Sequence, residues 1–203
     1  MTKELLLYYI GFGTVIVVFA ALMSMYFYNT KMDKSKKAVI SLVNRKLKSY
    51  ALLRNFKVYK DVTLNIDGHK YYAENIMLGY FGILIVCSLN HMGEYYGGLT
   101  ADKLSLVKKQ INKTQIDNPY KQAANTANGL RSLLFKNKIY KTSIETIMVY
   151  CADGKNSGMF IPHNGEIIHI GKLSSYLNKV KFDNDAGLDI NRIANIIEEC
   201  IEK

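Results

Sequence analysis

The stretch Tyr71–Asn90, "YYAENIMLGYFGILIVCSLN", decides the fold of this chain. It contains two runs of apolar and β-branched residues, with the glycines of Gly79–Gly82 between them. Two such runs around a short glycine-containing connection predict a β-hairpin. The second run, "FGILIVCSLN", carries no charged residue, which is typical of a strand buried on both faces. The sequence therefore predicts a hairpin that lies in the protein core.

The register of this hairpin decides whether three positions that could form a catalytic site, Glu74, Cys87 and Leu89, lie close together. If Leu78 lies opposite Ile83, Glu74 lies opposite Cys87, about 4.5–5.5 Å away at Cβ. Because side chains alternate between the faces of a strand, we expect Glu74, Cys87 and Leu89 on one side of the sheet. Carboxylates at the first two positions would hold Mg²⁺, and a lysine at the third would stabilise charge developing on a phosphate. This chain has only the first carboxylate.

The remaining segments predict one domain around the hairpin. Asn118-Pro119 is typical of a helix start, because Asn caps the first backbone N–H groups and Pro suits the first helical position. Hydrophobic periodicity and turn residues predict further strands near 56–65, between 104 and 116, and at 144–152, 158–162 and 166–170, with helices at 31–54, 118–136, 172–180 and from 189. The predicted fold class is α/β (α+β), with a mixed sheet flanked by helices.

A long uncharged segment precedes this domain. Leu5–Tyr28 contains no charged residue and is long enough, at about 1.5 Å per residue, to cross a hydrocarbon core of about 30 Å. A cleaved signal peptide is the alternative, but the apolar run exceeds a usual signal core and only Lys3 precedes it beside Glu4. Lysines and arginines follow the segment, so we expect a single-pass anchor in the cell membrane with its N-terminus outside and the domain in the cytoplasm.

The charge balance predicts an anionic partner. The chain of 203 residues has 27 Lys and Arg against 17 Asp and Glu, a formal net charge of +10 and a pI near 9.3. Nucleic acid and lipid headgroups are both anionic, and the basic stretch Lys31–Lys48 follows the predicted span where it would meet anionic lipids.

The three cysteines are odd in number and widely spaced, which favours a reducing compartment and shows no metal-binding spacing.

Between Leu53 and Leu134 the chain resembles the nuclease-related domain (NERD) family, a branch of the restriction-endonuclease-like PD-(D/E)XK fold. The matching motifs are "FKVYKDVTLNI", "YYAENIMLGYFGILIVCSLN", "YGG" and "NPYKQAANTANGLRSLL". The family's helix begins Asn-Pro with a Gln three positions after the Pro, and Asn118, Pro119 and Gln122 keep that pattern. Together with the uncharged segment and the basic stretch that follows it, the resemblance predicts three parts: a membrane anchor at 1–30, a juxtamembrane basic helix at 31–54 and a NERD-like domain at 55–203.

The departures from the family concern the catalytic positions. Where the family has an Asp-His pair and a Glu-x-Lys-Asn ending, this chain has Glu74-Asn75 and Cys87-Ser88-Leu89-Asn90. Glu74 and Gln122 stand at the family's catalytic positions, whereas Cys87 replaces a hard oxygen ligand and Leu89 removes a positive charge. We therefore expect no cleavage and no cofactor. Mg²⁺ or Mn²⁺ is expected only if the protein is a nuclease with a rearranged centre that uses Glu74 and acids from elsewhere.

The resemblance and the basic charge together predict a cytoplasmic domain that binds DNA or RNA without cutting it. The candidate phosphate-binding side chains are Lys57, Lys60, Lys70, Lys121 and Arg131. Two alternatives remain open at this point: a membrane-tethered scaffold for a protein or lipid partner, and the rearranged metal-dependent nuclease.

Overall fold

The computed structural model describes residues 14–23, 36–89, 91, 93–108, 112–151 and 158–202. The chain divides into two compact units, Met1–Ser35 and Lys36–Lys203. In the first unit, residues 14–23 form a helix, α1. The remainder of the predicted span Leu5–Tyr28 lies outside the described residues. Within the described ranges, no helix has the length and apolar character needed to cross a bilayer.

The second unit contains four helices and nine strands among its described residues. The helices are α2 (Lys36–Leu52), α3 (Pro119–Lys136), α4 (Leu173–Leu177) and α5 (Ile190–Cys200). The strands are β1 (Lys57–Ile66), β2 (His69–Gly79), β3 (Gly82–Leu89), β4 (Glu94–Tyr96), β5 (Lys103–Lys108), β6 (Asn112–Asp117), β7 (Ile144–Tyr150), β8 (Gly158–Phe160) and β9 (Ile167–His169). Single 3₁₀ turns at Ile170–Lys172 and Val180–Phe182 flank α4, so the predicted helix at 172–180 is shorter than expected.

The strands form two mixed sheets. The first has the order β1-β2-β3-β7-β9, in which β1, β2 and β3 are antiparallel neighbours and β7 and β9 continue parallel to β3. The second has the order β6-β5-β4-β8. The predicted mixed sheet with flanking helices is confirmed, while the division into two sheets was not predicted.

The predicted hairpin register is confirmed where the two strands are paired. Leu78 lies opposite Ile83, and Ile76 lies opposite Ile85. The ladder between β2 and β3 ends at the pair formed by Asn75, so the predicted pairing of Glu74 with Cys87 lies beyond it. The short connection at Gly79–Gly82 sets this register, because the length of a hairpin turn fixes which residues of its two strands face each other.

Two apolar clusters cover the faces of the first sheet. One joins α3, α5 and the second sheet to one face, and the other joins α2 and α4 to the opposite face. Successive residues of β3 belong to opposite clusters, because this central strand is buried on both sides. The α3 side of β3 consists of Ile83, Ile85, Cys87 and Leu89, and the α2 side includes Leu84 and Val86.

Strands β1 and β2 change face midway along their length. Tyr59 and Val62 pack on the same cluster although three positions separate them, and Ala73 and Ile76 do the same on the neighbouring strand. Strict alternation would put residues three apart on opposite faces. The backbone of Asp61 has φ 55°, in the left-handed region, where the two strands lose a pair from their ladder. This distortion reverses the alternation in both strands at once.

Helix α3 begins where the sequence predicts. The side-chain oxygen of Asn118 accepts a hydrogen bond of 3.0 Å from the backbone N–H of Tyr120, and Pro119 occupies the first helical position. The Asn118 amide also donates to the carbonyl oxygens of Leu99 and Ala101, both at 2.8 Å. One residue therefore caps α3 and attaches its start to the loop before β5. The buried stripe of α3 consists of Ala123, Ala127, Leu130 and Leu134, as predicted apart from Leu133, which is only partly buried.

Candidate functional site

The family's second acid and its lysine are replaced by side chains that lie inside the core. Cys87 is 3% exposed and Leu89 is 2% exposed, and both belong to the apolar cluster on the α3 side of the sheet. Tyr95 and Leu104 of the second sheet belong to the same cluster and are 1% and 0% exposed. The Cys87 thiol donates to the carbonyl oxygen of Ile147 at 3.4 Å. A charged group at either position would be buried among apolar side chains.

Glu74 is buried as well, and its carboxylate accepts a short hydrogen bond from the hydroxyl of Ser88. By alternation along β3, Ser88 lies on the face opposite Cys87 and Leu89. The structure therefore corrects the predicted grouping of Glu74 with those two residues on one side. The physical reason is the face reversal at the interrupted pair of β1 and β2, where Glu74 lies between the paired residues.

These residues do not fit a Mg²⁺ site. Mg²⁺ is held in proteins by hard oxygen ligands, commonly two carboxylates in a nuclease of this kind. Here Glu74 supplies one carboxylate that is engaged by Ser88, while Cys87 supplies a soft sulfur and Leu89 no ligand. In the part of the chain that the structure describes, no three His, Cys, Asp or Glu side chains are grouped closely enough to hold a metal ion.

Two buried amides lie on the α2 side of the sheet. Asn75 is 0% exposed, and neither polar atom of its side chain has a hydrogen-bond partner among the described residues. The Nδ2 atom of Asn44 in α2 is also buried without a partner there. The strand partner of Asn75 is Lys60, whose Nζ donates to Ser41, one helical turn before Asn44. An unpaired buried amide costs about 1–3 kcal/mol, so the Glu74-Asn75 segment is a polar and costly part of the core.

Gln122, the other family position, lies in the first turn of α3 and is exposed. The backbone oxygen of Gln122 accepts from Thr126 at 3.1 Å, and the same hydroxyl donates to the oxygen of Tyr72 at 2.8 Å. This bridge fixes α3 on β2. Glu74 is buried and Gln122 is exposed, so the two retained family positions differ in their access to solvent.

The five predicted phosphate-binding cations each have a partner in the protein, and the partners lie in different parts of the fold. Lys57 pairs with Glu198 at 3.2 Å, Lys70 with Glu202 at 2.8 Å, Lys60 with Ser41 at 2.9 Å and Lys121 with Asp102, while Arg131 donates to Asn128 and to the oxygen of Ile144. The Lys121 ammonium holds the pKa of the Asp102 carboxyl below its usual value. Exposed ion pairs contribute about 0–1 kcal/mol, so phosphates can compete for these cations.

Arg131 differs from the other four because it lines a large cavity, which we call the α3 groove. The groove has a volume of about 480 Å³ and lies between α3, β7 and the segments around Glu166 and Tyr176. Ligand sites typically measure about 300–1,000 Å³. The polar side chains that line it are Tyr120, Asn128, Arg131, Glu145, Thr146, Asn164, Glu166, Tyr176, Lys179 and Lys181.

A hydrogen-bonded network forms one wall of the α3 groove. Lys181 donates to the carboxylate of Glu145 and, at 3.0 Å, to the hydroxyl of Tyr176. Burial disfavours the charged Lys181, but its hydrogen bonds to Glu145 and Tyr176 outweigh burial and raise its pKa. Burial is also the main reason why the pKa of Tyr176 is raised. Lys181 and Tyr176 therefore stay protonated and act as hydrogen-bond donors at neutral pH.

The sequence model described as the nuclease-related domain matches residues 35–151, which is more than half of the chain. This chain belongs to the NERD family. Searches of curated proteins and of solved structures give no significant match.

The NERD match ends at residue 151, before β8, so several groove residues that the sequence analysis did not single out lie beyond it. Tyr176, Lys179 and Lys181 follow the matched region and form no motif in the sequence. Arg131, which was predicted as a phosphate-binding cation, lies in the family-like helix. The groove combines this NERD helix with residues that lie outside the match.

Proposed function

We propose that this protein is a non-cleaving NERD-domain protein that binds nucleic acid and is tethered to the membrane by residues 5–28. One observation carries the proposal of inactivity. Cys87 and Leu89 occupy the positions of the family's second acid and lysine, and both are buried in an apolar cluster. Phosphodiester hydrolysis at such a centre depends on a metal held by carboxylates and on a positive charge near the phosphate.

The α3 groove supports the proposal of nucleic-acid binding. Arg131 and Lys179 provide positive charge, and Tyr120 and Tyr176 provide aromatic rings in the same cavity. Proteins that bind single strands combine cations for the phosphates with aromatic side chains on which bases stack. The formal net charge of +10 favours association with any polyanion.

Sequence supports the proposed tether. Leu5–Tyr28 contains no charge, and the basic stretch that follows it favours a cytoplasmic domain. Proteolysis of sealed membrane vesicles of known orientation tests this arrangement. Protease added to the cytoplasmic side is expected to degrade the domain, and protection of the domain from that side would contradict it.

A binding measurement on the full-length chain in detergent tests the ligand. Fluorescent single-stranded DNA, double-stranded DNA and RNA are titrated over a range of salt concentrations, and binding is expected to weaken steadily as salt rises. Arg131→Ala is expected to weaken binding about tenfold by removing a charged donor. Arg192→Ala is the matched control, because Arg192 also donates to a backbone oxygen, that of Asn137 at 2.9 Å, and lies outside the groove lining.

Equal binding by the Arg131 and Arg192 variants would remove the α3 groove from the proposal. Absence of any salt-sensitive binding would favour the second candidate, a membrane-tethered scaffold for a protein or lipid partner. The observation that favours this second candidate is that all five predicted phosphate-binding cations already have partners within the protein.

A further inference from the structure

A second cavity lies at the C-terminal end of α2, and we call it the basic groove. It has a volume of about 360 Å³ and is formed by the last turns of α2, the turn that follows, and α4. Arg45, Lys46 and Arg54 line one side, and Ser174 and Asn178 line the other. Helix α4, which contains Ser174, and Asn178 just after it lie outside the NERD match.

The charge of the basic groove differs from that of the α3 groove. Its lining contains three cations and no carboxylate, whereas the α3 groove also includes Glu145 and Glu166. The guanidinium of Arg54 lies 4.0 Å from the ring centre of Tyr50, and this cation–π contact holds the side chain in position. Its Nε atom is also 3.5 Å from the carboxylate of Asp183, which is more than half exposed. The groove therefore carries an excess of positive charge and suits an anion.

Tyr50 supplies a second feature of the basic groove. It lines the groove and is 9% exposed, and its hydroxyl has no hydrogen-bond partner among the described residues. This hydroxyl is closed off from solvent, so the cations rather than Tyr50 would meet an anion in the groove. Phosphate oxygens are strong acceptors and also pair with arginine and lysine.

Exposed aliphatic side chains lie in the groove lining and at positions close to it in the chain. Leu53 lines the groove and is 83% exposed, and its neighbour Leu52 is 84% exposed. Val180, two residues after Asn178, is 85% exposed. Cations next to exposed aliphatic side chains are typical of protein surfaces that lie at the interface of a bilayer. A free phosphate would leave these three side chains in water, and a nucleic acid would gain little from them because its bases stack on aromatic rings.

We infer that the basic groove binds the phosphate-bearing headgroup of an anionic lipid, with Leu52, Leu53 and Val180 entering the bilayer surface. Arg45, Lys46 and Arg54 pair with the headgroup, and the aliphatic side chains contact the upper part of the acyl region. This interaction is independent of nucleic-acid binding and of residues 5–28. It orients the domain on the leaflet through a surface that the NERD match includes only in part.

Tryptophan fluorescence tests this inference, since the chain contains no tryptophan. Leu53→Trp places a single reporter at the groove in the full-length protein, which is mixed with preformed phosphatidylcholine bilayers or with bilayers that also contain phosphatidylglycerol. Both lipids carry brominated acyl chains that quench tryptophan. Strong quenching and a blue shift are expected with phosphatidylglycerol and weak quenching without it. Phe135→Trp on α3, at a position that is 67% exposed, is the control reporter for nonspecific contact.

Two double variants, each of which removes two positive charges, then test whether the groove causes the quenching. In the Leu53→Trp background, Arg45→Gln with Lys46→Gln is expected to reduce the quenching at least about threefold, because each cation near an anionic leaflet adds attraction. Lys138→Gln with Lys141→Gln removes the same charge from exposed positions outside the groove and is expected to leave the quenching unchanged.

Three results of the quenching measurements would overturn the inference. They are equal quenching in the two kinds of bilayer, equal loss in the two charge variants, and quenching at position 53 no greater than at position 135. Millimolar inorganic phosphate added without bilayers distinguishes a soluble anion from a lipid. A blue shift produced by phosphate alone would assign the groove to a free anion instead.

Discussion

The C-terminal end of β3 and the α3 groove lie in the same NERD-family fold, yet one is closed and the other is open. At the end of β3, Cys87 and Leu89 are buried in one apolar cluster with Tyr95 and Leu104 of the second sheet. The α3 groove is a cavity of about 480 Å³ lined by charged, amide and aromatic side chains, including Arg131. The difference shows that the positions of the family's second acid and lysine are packed into the core, whereas the α3 groove keeps charged and polar side chains at a cavity.

Restoring the family residues at the closed end is expected to give the largest effect. Cys87→Glu with Leu89→Lys places two charges where both side chains are at most 3% exposed. The free energy of unfolding is expected to fall by about 4 kcal/mol or more, because the charges lose their hydration and the packing of Leu89 is lost. Urea denaturation measures the change. Ser105→Glu with Val107→Lys, on half-buried positions of β5, is the control and should cost far less.

A stable double variant with Mn²⁺-dependent cleavage would contradict the idea of a closed centre. It would mean that the second sheet moves aside easily and that only two side chains separate this protein from an active nuclease.

The start of α3, the helix that lines the α3 groove and packs on the same face as Cys87 and Leu89, is expected to give the next largest effect. Asn118→Ala removes the cap of α3 and two amide hydrogen bonds of 2.8 Å to the loop before β5. A loss of about 2–3 kcal/mol in the free energy of unfolding is expected, measured by chemical denaturation. Asn125→Ala, at an exposed position of the same helix, should stay within about 0.5 kcal/mol. Similar values for the two variants would show that the Asn118 bonds contribute little.

The buried side-chain amide of Asn75, next to Glu74, is expected to destabilise the fold. Its replacement should therefore raise the free energy of unfolding, whereas the changes above lower it. Asn75→Leu removes two buried polar atoms without partners among the described residues, and the free energy of unfolding should rise by about 1–2 kcal/mol. Asn65→Leu, on an exposed position of the neighbouring strand, is the control with no comparable gain. A lower thermal midpoint for Asn75→Leu would indicate that water or another group satisfies this amide.

The surface ion pairs are expected to have the smallest effect. Lys70→Ala removes the ion pair with Glu202, in which both side chains are accessible to solvent. The free energy of unfolding should therefore change by less than about 1 kcal/mol. The same variant should weaken nucleic-acid binding less than Arg131→Ala does. A destabilisation of 2 kcal/mol or more by Lys70→Ala would show that these cations serve the fold rather than a ligand.

The sequence predicts well those parts of the fold that depend on local patterns. The register of the hairpin follows from the short connection at Gly79–Gly82, as the pair of Ile76 with Ile85 confirms. The start of α3 follows from Asn118-Pro119, whose chemistry suits a capped first turn. Both predictions depend on residues close together in the chain, where side-chain type decides the conformation.

The parts that the sequence did not predict depend on backbone geometry and on distant segments. The left-handed backbone at Asp61 reverses the faces of β1 and β2, so a count of alternate residues put the Glu74 carboxylate on the wrong side. The grooves join segments that carry no motif, such as the region around Tyr176, to the NERD helices. Their assembly depends on tertiary packing, which residue spacing does not reveal.

A single-turnover cleavage assay tests the central claim most directly. The full-length protein, in excess over end-labelled double-stranded DNA, single-stranded DNA and RNA, is incubated with Mn²⁺ or Mg²⁺ beside a Glu74→Ala variant purified in the same way. The closed end of β3 predicts that every substrate stays intact with both proteins. Metal-dependent cleavage by the unaltered protein that disappears in Glu74→Ala would contradict the account and make Glu74 part of a working centre.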